Sequence, residues 1–323
     1  MFHLCGAPFL FVLSTKEDYL CSKQKRMRRK KAPRKIVKYE GVAAKKGLGQ
    51  HFLADEDIAV EIVDSLMIPT TDLNGNPTTD DSVKVLEIGA GTGVLTKYLL
   101  MDKRIHLEIS EIDNQSILKL KEKFPQFLYT LENKDFLTTE TLSFFPEKYI
   151  YPDKNEVFII GNFPYNISSQ IFFKILNDKD IVAQVVCMLQ KEVAVRLSSE
   201  PGGKEYGILS VLLGAWYDIE YLFDVPPTVF IPPPKVNSGV IRLWRNSRQE
   251  LGCDQEVFKK IVKGCFGMRR KTIRNSIKPV VNELALGAKV GEVFEKLEHT
   301  GLLEYRPEKL GVEDFITLAK CFK

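Results

Sequence analysis

An α/β fold, a mostly parallel sheet with helices on both faces followed by a small all-helical domain, is predicted by three observations. Short apolar runs alternate with helix-spaced segments from residue 83 to residue 189, the first run ends in a glycine-rich turn, and beyond about residue 246 the spacing becomes purely helical. At 323 residues the chain is long enough to bury a sizeable core, and two domains are expected.

Each element follows from its local pattern. Asp55 is placed to cap a helix whose apolar positions Ile58, Ile62, Val63 and Leu66 recur at helical spacing until Pro69 stops it. Residues 70–82, with Asn74-Gly-Asn-Pro77, read as a surface loop. Strands are expected at Val83–Ile88, 104–110, Phe127–Leu131, Val157–Ile160 and Ile181–Leu189, with helices at 93–101, 113–123 and Ile167–Asn177 between them. The apolar runs Ile208–Phe223 and Val236–Trp244 are read as a closing antiparallel pair at the sheet edge. They are joined by Val225-Pro-Pro-Thr-Val-Phe-Ile-Pro-Pro-Pro234, which its prolines hold extended. Amphipathic stretches at 254–266, 270–279, 290–298 and 312–321 make the helical domain. The expected boundaries are a basic arm over 1–46, an α/β domain over 47–245 and a helical domain over 246–323.

Composition, 44% apolar and 27% charged, is that of an ordinary globular protein and names no activity. Charge distribution says more. Residues 23–46 hold twelve Lys or Arg against a single acid, Glu40, so the rest of the chain is acidic on balance although the net charge is +4. A second basic cluster, Lys259, Lys260, Lys263, Arg269, Arg270, Lys271, Arg274 and Lys278, contains no acid. Such clusters bind polyanions by neutralising phosphates and releasing counterions, or they are solvated helix faces. The six cysteines form no CxxC pair and the four histidines no HxxxH, so neither a metal site nor a disulfide framework is expected, and reduced thiols fit a cytoplasmic protein. Phe9–Leu13 is too short to span a bilayer and lacks a basic segment before it, so Met27 is expected as the natural start, with 1–26 an upstream extension.

The first strand runs into Leu86-Glu-Ile-Gly-Ala-Gly-Thr-Gly93. The dinucleotide fingerprint needs a third glycine at 94 or 96, where Val94 and Thr96 stand, so that fingerprint fails. The E-x-G-x-G-x-G order instead resembles the first motif of methyltransferases that use S-adenosylmethionine. Gly89 and Gly91 are then expected at the cofactor. Glu111, ending the second strand, is placed to accept both hydroxyls of a ribose, while its neighbour Asp113 is better placed to cap the next helix. Asp135, after the third run, is expected to face the cofactor adenine.

Ile160-Gly-Asn-Phe-Pro-Tyr-Asn-Ile-Ser168 carries the [N/D]-x-P-[Y/F] signature of enzymes that methylate planar amino nitrogens. An aromatic amine is a poor nucleophile because its lone pair is delocalised into the ring. Acceptors on its hydrogens, the Asn162 side-chain oxygen and a backbone carbonyl near Phe163 and Pro164, localise that pair and stabilise the positive charge that develops. Tyr165, and with it Phe163, is expected to stack on the extruded base. No metal and no strong general base are required.

Over nearly all of 45–320 the chain resembles the ribosomal RNA adenine dimethyltransferase family. Lys46-Gly-Leu-Gly-Gln-His-Phe-Leu53, Met188-Leu-Gln-Lys-Glu192, Tyr206-Gly-Ile-Leu-Ser210, Pro232-Pro-Pro-Lys-Val236, Phe266–Asn275 and Arg306–Phe315 resemble family segments in the right order. The resemblance implies a Rossmann-like methyltransferase fold with a seven-stranded, mostly parallel sheet carrying an antiparallel edge strand. It implies cofactor contacts from His51, Leu53, Gly89, Glu111, Asp135 and Asn162, with His51 standing where Asn is common, so that a ring nitrogen or the backbone serves instead. It also implies a monomer that dimethylates two adjacent adenosines in a 16S rRNA hairpin late in 30S biogenesis, the helical domain docking on the immature subunit. It separates the chain from drug-resistance relatives that methylate one large-subunit adenine. Two alternatives stand beside this reading: methylation of another planar nitrogen, and a ribosome-assembly factor in which binding outweighs methylation.

Overall fold

A computed structural model of the protein describes residues 41–42, 44–70, 83–150, 156–285 and 289–322. Most of the basic arm and the loop at 71–82 lie outside the described residues. One sheet places Ile105–Ser110, Val83–Ile88, Val157–Asn162, Val182–Gln190, Ser238–Arg245 and Tyr217–Val225 side by side in that order. Strands β2 (Val83–Ile88), β3 (Ile105–Ser110), β4 (Val157–Asn162) and β5 (Val182–Gln190) run parallel. β2, β4 and β5 are legible as largely apolar runs because both of their faces are buried, and the edge strand β3 by alternation, with His106 and Glu108 half-buried between Ile105, Leu107 and Ile109. β8 (Ser238–Arg245) then pairs antiparallel with β5, and β6 (Tyr217–Val225) forms the edge. β1 (Phe52–Leu53) and β7 (Phe230–Ile231) make a separate antiparallel pair that the sequence did not suggest.

The sheet has six strands among the described residues, not seven, and 127–131 is not a strand. Pro125 opens a 3₁₀ turn over Pro125–Phe127, and Leu128 and Tyr129 are exposed at 45% and 91%, so the run has no sheet face to bury. What remains there is an isolated bridge from Asn133 to Glu111. The run Ile208–Phe223 also resolves differently, into a helix over Ile208–Gly214 and only then β6. A nearly continuous apolar run such as Ile208–Trp216 has no periodicity by which to tell helix from strand.

Helices α1 (Glu56–Asp64), α2 (Val94–Leu99), α3 (Asn114–Lys123) and α4 (Ser168–Asn177) lie where the spacing puts them. Asp55 caps α1, accepting from the Ile58 amide at 3.1 Å. The far end of α1 is tied to the sheet: the Gln184 side chain bonds both polar backbone groups of Met67, and Arg242 donates to the Ser65 carbonyl at 3.2 Å. These bonds fix the C-terminal end of α1 on the sheet, and the residues before β1, which leads into α1, wall the site below.

The chain divides into two compact units. One contains the described residues up to Lys191 together with Leu222–Ser247, the other Glu192–Tyr221 together with the residues from Arg248 onward. The helical unit therefore includes α5 (Lys191–Leu197) from Glu192 on, and α6 (Ile208–Gly214), in addition to α7 (Gln255–Gly267), α8 (Ile273–Ser276), α9 (Lys278–Leu284), α10 (Lys289–His299) and α11 (Val312–Lys320). The expected boundary at 245 and 246 misses this earlier segment, which contacts the later helices through side chains no local pattern reveals. Tyr206 meets the ring of Phe266, and Phe266 meets Phe315 in turn.

Candidate active site

The C-terminal ends of β2, β3 and β4 converge, as open parallel sheets place their ligand crevices. Gly89 and Gly91 leave β2 with φ of +70° and +57°, a left-handed backbone that side chains rarely adopt. A Cβ at Gly91 would also press on the Phe52 ring at 3.0 Å. The turn thus keeps its backbone bare and close to whatever fills the cleft.

Glu111, immediately after β3, is 5% exposed. One carboxylate oxygen accepts from the amides of Ile112 and Asp113 at 2.8 Å each, and the other accepts from Gly91 at 2.9 Å. Burial pushes this carboxyl above its usual range, against the pull of the three amides. A carboxylate offers about four lone-pair sites, so acceptor capacity remains for a hydroxyl. Asp113 does cap α3, accepting from the Gln115 amide at 3.1 Å. It also receives Lys45 and Gln50, which latch the segment before β1 beside the cleft. Burial opposes the Asp113 charge, yet the bonds from Lys45, Gln50 and the Gln115 amide, with the Lys45 charge, together outweigh it and hold the carboxyl low. This latch went unread because its partners lie more than sixty residues apart in the chain.

β4 delivers the Asn162–Tyr165 turn. Gly161, the residue before it, sits so close to β2 that a Cβ there would overlap the Ile88 carbonyl oxygen. Asn162 Nδ2 donates to the His51 carbonyl at 2.8 Å. That bond fixes the orientation of the amide and leaves Oδ1 as its acceptor. The Tyr165 hydroxyl lies 2.6 Å from Ser238 Oγ, and its ring stacks on His51 with centroids 5.5 Å apart. Burial raises the Tyr165 phenol above its ordinary value. Phe163 points elsewhere: it is fully buried and packs edge-on against Phe172, so its ring is a core anchor and not a stacking surface. Phe163 still borders the cleft, together with Pro164.

His51, Gly89, Gly91, Glu111 and the 162–165 turn surround one cleft, joined by Gly49, Gln50 and Phe52. Two expected residues stand outside its lining. The Leu53 side chain lies in the hydrophobic core at 2% exposure, and Asp135 accepts from the Leu137 amide at 2.9 Å, capping its own turn. Gln50 and Ser238 were missed. The first stands inside the segment Lys46–Leu53 already singled out, whereas Ser238 carries no sequence signal at all.

The donor set suits a nucleoside bearing an amino acid. Glu111 offers a buried carboxylate to hydroxyls, the Gly89–Gly91 turn offers bare backbone, and the Asn162 amide offers a neutral acceptor. A family model described as ribosomal RNA adenine dimethylase matches residues 41–304. The chain belongs to the ribosomal RNA adenine dimethylase family. A protein named ribosomal RNA small subunit methyltransferase A from Cytophaga hutchinsonii is 47% identical over 280 residues, 86% of this chain and 97% of that protein. One of the same name from Bacteroides thetaiotaomicron is 44% identical over 277 residues, 86% of this chain and 93% of that protein. The fold is shared with a dimethyladenosine transferase from Plasmodium falciparum at TM-score 0.64 and 24% identity, covering 81% of this chain and 94% of that one. This dimethylase-family chain is accordingly a methyltransferase acting on ribosomal RNA, and its family implies S-adenosylmethionine as methyl donor.

Proposed function

We propose that the protein dimethylates the exocyclic amines of two adjacent adenosines in a small-subunit rRNA hairpin, acting as a cytoplasmic monomer on the immature 30S subunit. The observation that carries this reading is the Asn162 amide, whose nitrogen is engaged by the His51 carbonyl so that its oxygen is the group presented to an amine. S-adenosylmethionine, when bound, supplies an electrophilic methyl group on a sulfonium. Gly89, Gly91 and Glu111 would hold it, Glu111 through its remaining acceptor capacity. Asn162 Oδ1 and a backbone carbonyl beside Pro164 accept the amine hydrogens. They localise the lone pair for attack on the methyl carbon and stabilise the positive nitrogen that results. That nitrogen then releases its proton to water, so no strong base is needed. Tyr165 supplies the stacking face that offsets the loss of base stacking in the RNA, worth about 1–3 kcal/mol.

The helical unit supports subunit docking, with a refinement. Arg274 is held by Glu298 and Glu304, and Arg269 donates to the carbonyls of Gly203 and Lys204, so these two arginines brace the unit. Arg270, Lys271 and Lys278 are exposed and are the residues we assign to phosphate contact. Among the described residues no helix is long and apolar enough to cross a membrane. The deciding experiment is methyl transfer to small subunits from a strain lacking the modification, followed by mapping of the labelled bases. Dimethyladenosine at two neighbouring positions is expected. Label on another base, or on large-subunit RNA, overturns the reading.

A further inference from the structure

We propose that His51 is a positioning residue for Tyr165: with Ser238 it fixes the ring on which the target adenine stacks and leaves only the opposite ring face open to the base. The inference rests on the adenine-methylation reading above and assigns His51 a role toward the substrate, where resemblance assigned it to the cofactor.

Four contacts place the imidazole. His51 Nδ1 lies 2.8 Å from the Pro232 carbonyl oxygen. A carbonyl only accepts, so Nδ1 carries the proton and the ring plane is fixed by that bond. The His51 carbonyl accepts from Asn162, which fixes the backbone of the same residue. β1, beginning one residue later, is pinned antiparallel to β7, the strand that leads into Pro232. The imidazole then lies over Tyr165 at 5.5 Å between centroids and 27° between planes. A base inserted between two rings needs two contacts of about 3.5 Å, about 7 Å in all, so the space between His51 and Tyr165 admits none.

The other end of the tyrosine is equally constrained. Its hydroxyl is 2.6 Å from Ser238 Oγ, and Ser238 is fully buried on β8, where it faces Gln190 of β5. The ring therefore has one face against His51, its tip on the sheet and its backbone in the Asn162–Tyr165 turn. A ring held in this way offers its remaining face without first losing rotational freedom, and the base it receives is brought into register with Asn162 through His51, which touches both.

A double-mutant cycle between His51→Ala and Tyr165→Ala tests this, with methyl transfer to unmethylated small subunits as the rate and calorimetry of S-adenosylhomocysteine as the cofactor readout. His51→Ala is expected to slow transfer about tenfold in the otherwise native enzyme and to have almost no further effect once Tyr165 is Ala, with cofactor affinity little changed in every variant. His51→Phe, which restores a ring on that face, is expected to recover most of the lost rate. This second variant guards against a mere folding defect in His51→Ala. Equal losses in both backgrounds, no recovery with Phe, or a fall in cofactor affinity parallel to the fall in rate each overturn the proposal. Absence of dimethyladenosine from the wild-type reaction would instead overturn the function reading, which separates the two failures.

Discussion

The two walls of the cleft are built by different means. On the wall formed by β2 and β3, Glu111 is held by the amides of Gly91, Ile112 and Asp113, all within twenty residues of it. On the wall formed by β4, Asn162 is held by His51 and Tyr165 by Ser238, partners 111 and 73 residues away. The first wall ends in a buried carboxylate suited to hydroxyl groups, and it is stiff because backbone geometry sets it. The second presents a neutral amide and an aromatic ring suited to a base, and it exists only when segments from three parts of the chain have packed. On the function proposed above, the difference teaches that the methyl donor's side is prepared by local structure, whereas the nucleophile's side is assembled by the completed fold.

Substitutions on each wall should separate accordingly. The largest effect is expected from Asn162→Ala, which removes the acceptor for the amine: methyl transfer to subunits should fall by about 10²–10³, with subunit binding largely intact. Unchanged transfer would refute the role of that amide. Next, Glu111→Gln replaces one acceptor oxygen by a donor facing backbone N–H groups. Bonds to a charged group are worth about 1.5–3 kcal/mol, so cofactor affinity measured by calorimetry should drop about tenfold to a hundredfold. Affinity within twofold of wild type would break the contrast between the walls.

The smallest effect concerns stability. Glu87, on β2 and 1% exposed, has its carboxyl pushed up to about 8 by burial, although the Thr96 hydroxyl bonded to it at 2.6 Å works the other way. The native state therefore keeps a proton that the unfolded chain releases near pH 4.5. Its contribution is fully present below that pH and is lost as pH rises through about 8. Glu87→Gln, which cannot ionise, should gain in melting temperature relative to wild type between pH 5 and pH 9, by roughly 2–4 °C for each kcal/mol involved. Parallel melting curves at both pH values would show that this carboxyl is not protonated in the native wall.

Legibility in the sequence followed the same divide. β2, β4 and β5 could be read because strands buried on both faces must be largely apolar, β3 because its apolar residues alternate, and Asp55 and Asp113 because a cap acts on amides two or three residues ahead. Phe127–Leu131 misled because apolar content alone does not supply a neighbouring strand. Asp135 was placed by order along the chain, and the structure adds a partner that the order does not give, the Leu137 amide on one carboxylate oxygen. Phe163 looked like a second stacking ring because its type fits; only packing against Phe172 shows that it faces the core.

By itself the sequence determined the chemistry: a glycine turn, an acid after the next strand and an Asn-x-Pro-Tyr turn are short-range patterns, and short-range patterns fix backbone conformation and the kinds of group presented. The tertiary structure alone decided how those groups are aimed. That Asn162 presents its oxygen, that one face of Tyr165 is covered by His51 and that Arg274 braces its own unit while Arg270 faces solvent all depend on partners far along the chain. Such partners meet only when the core closes, and no local propensity encodes the meeting.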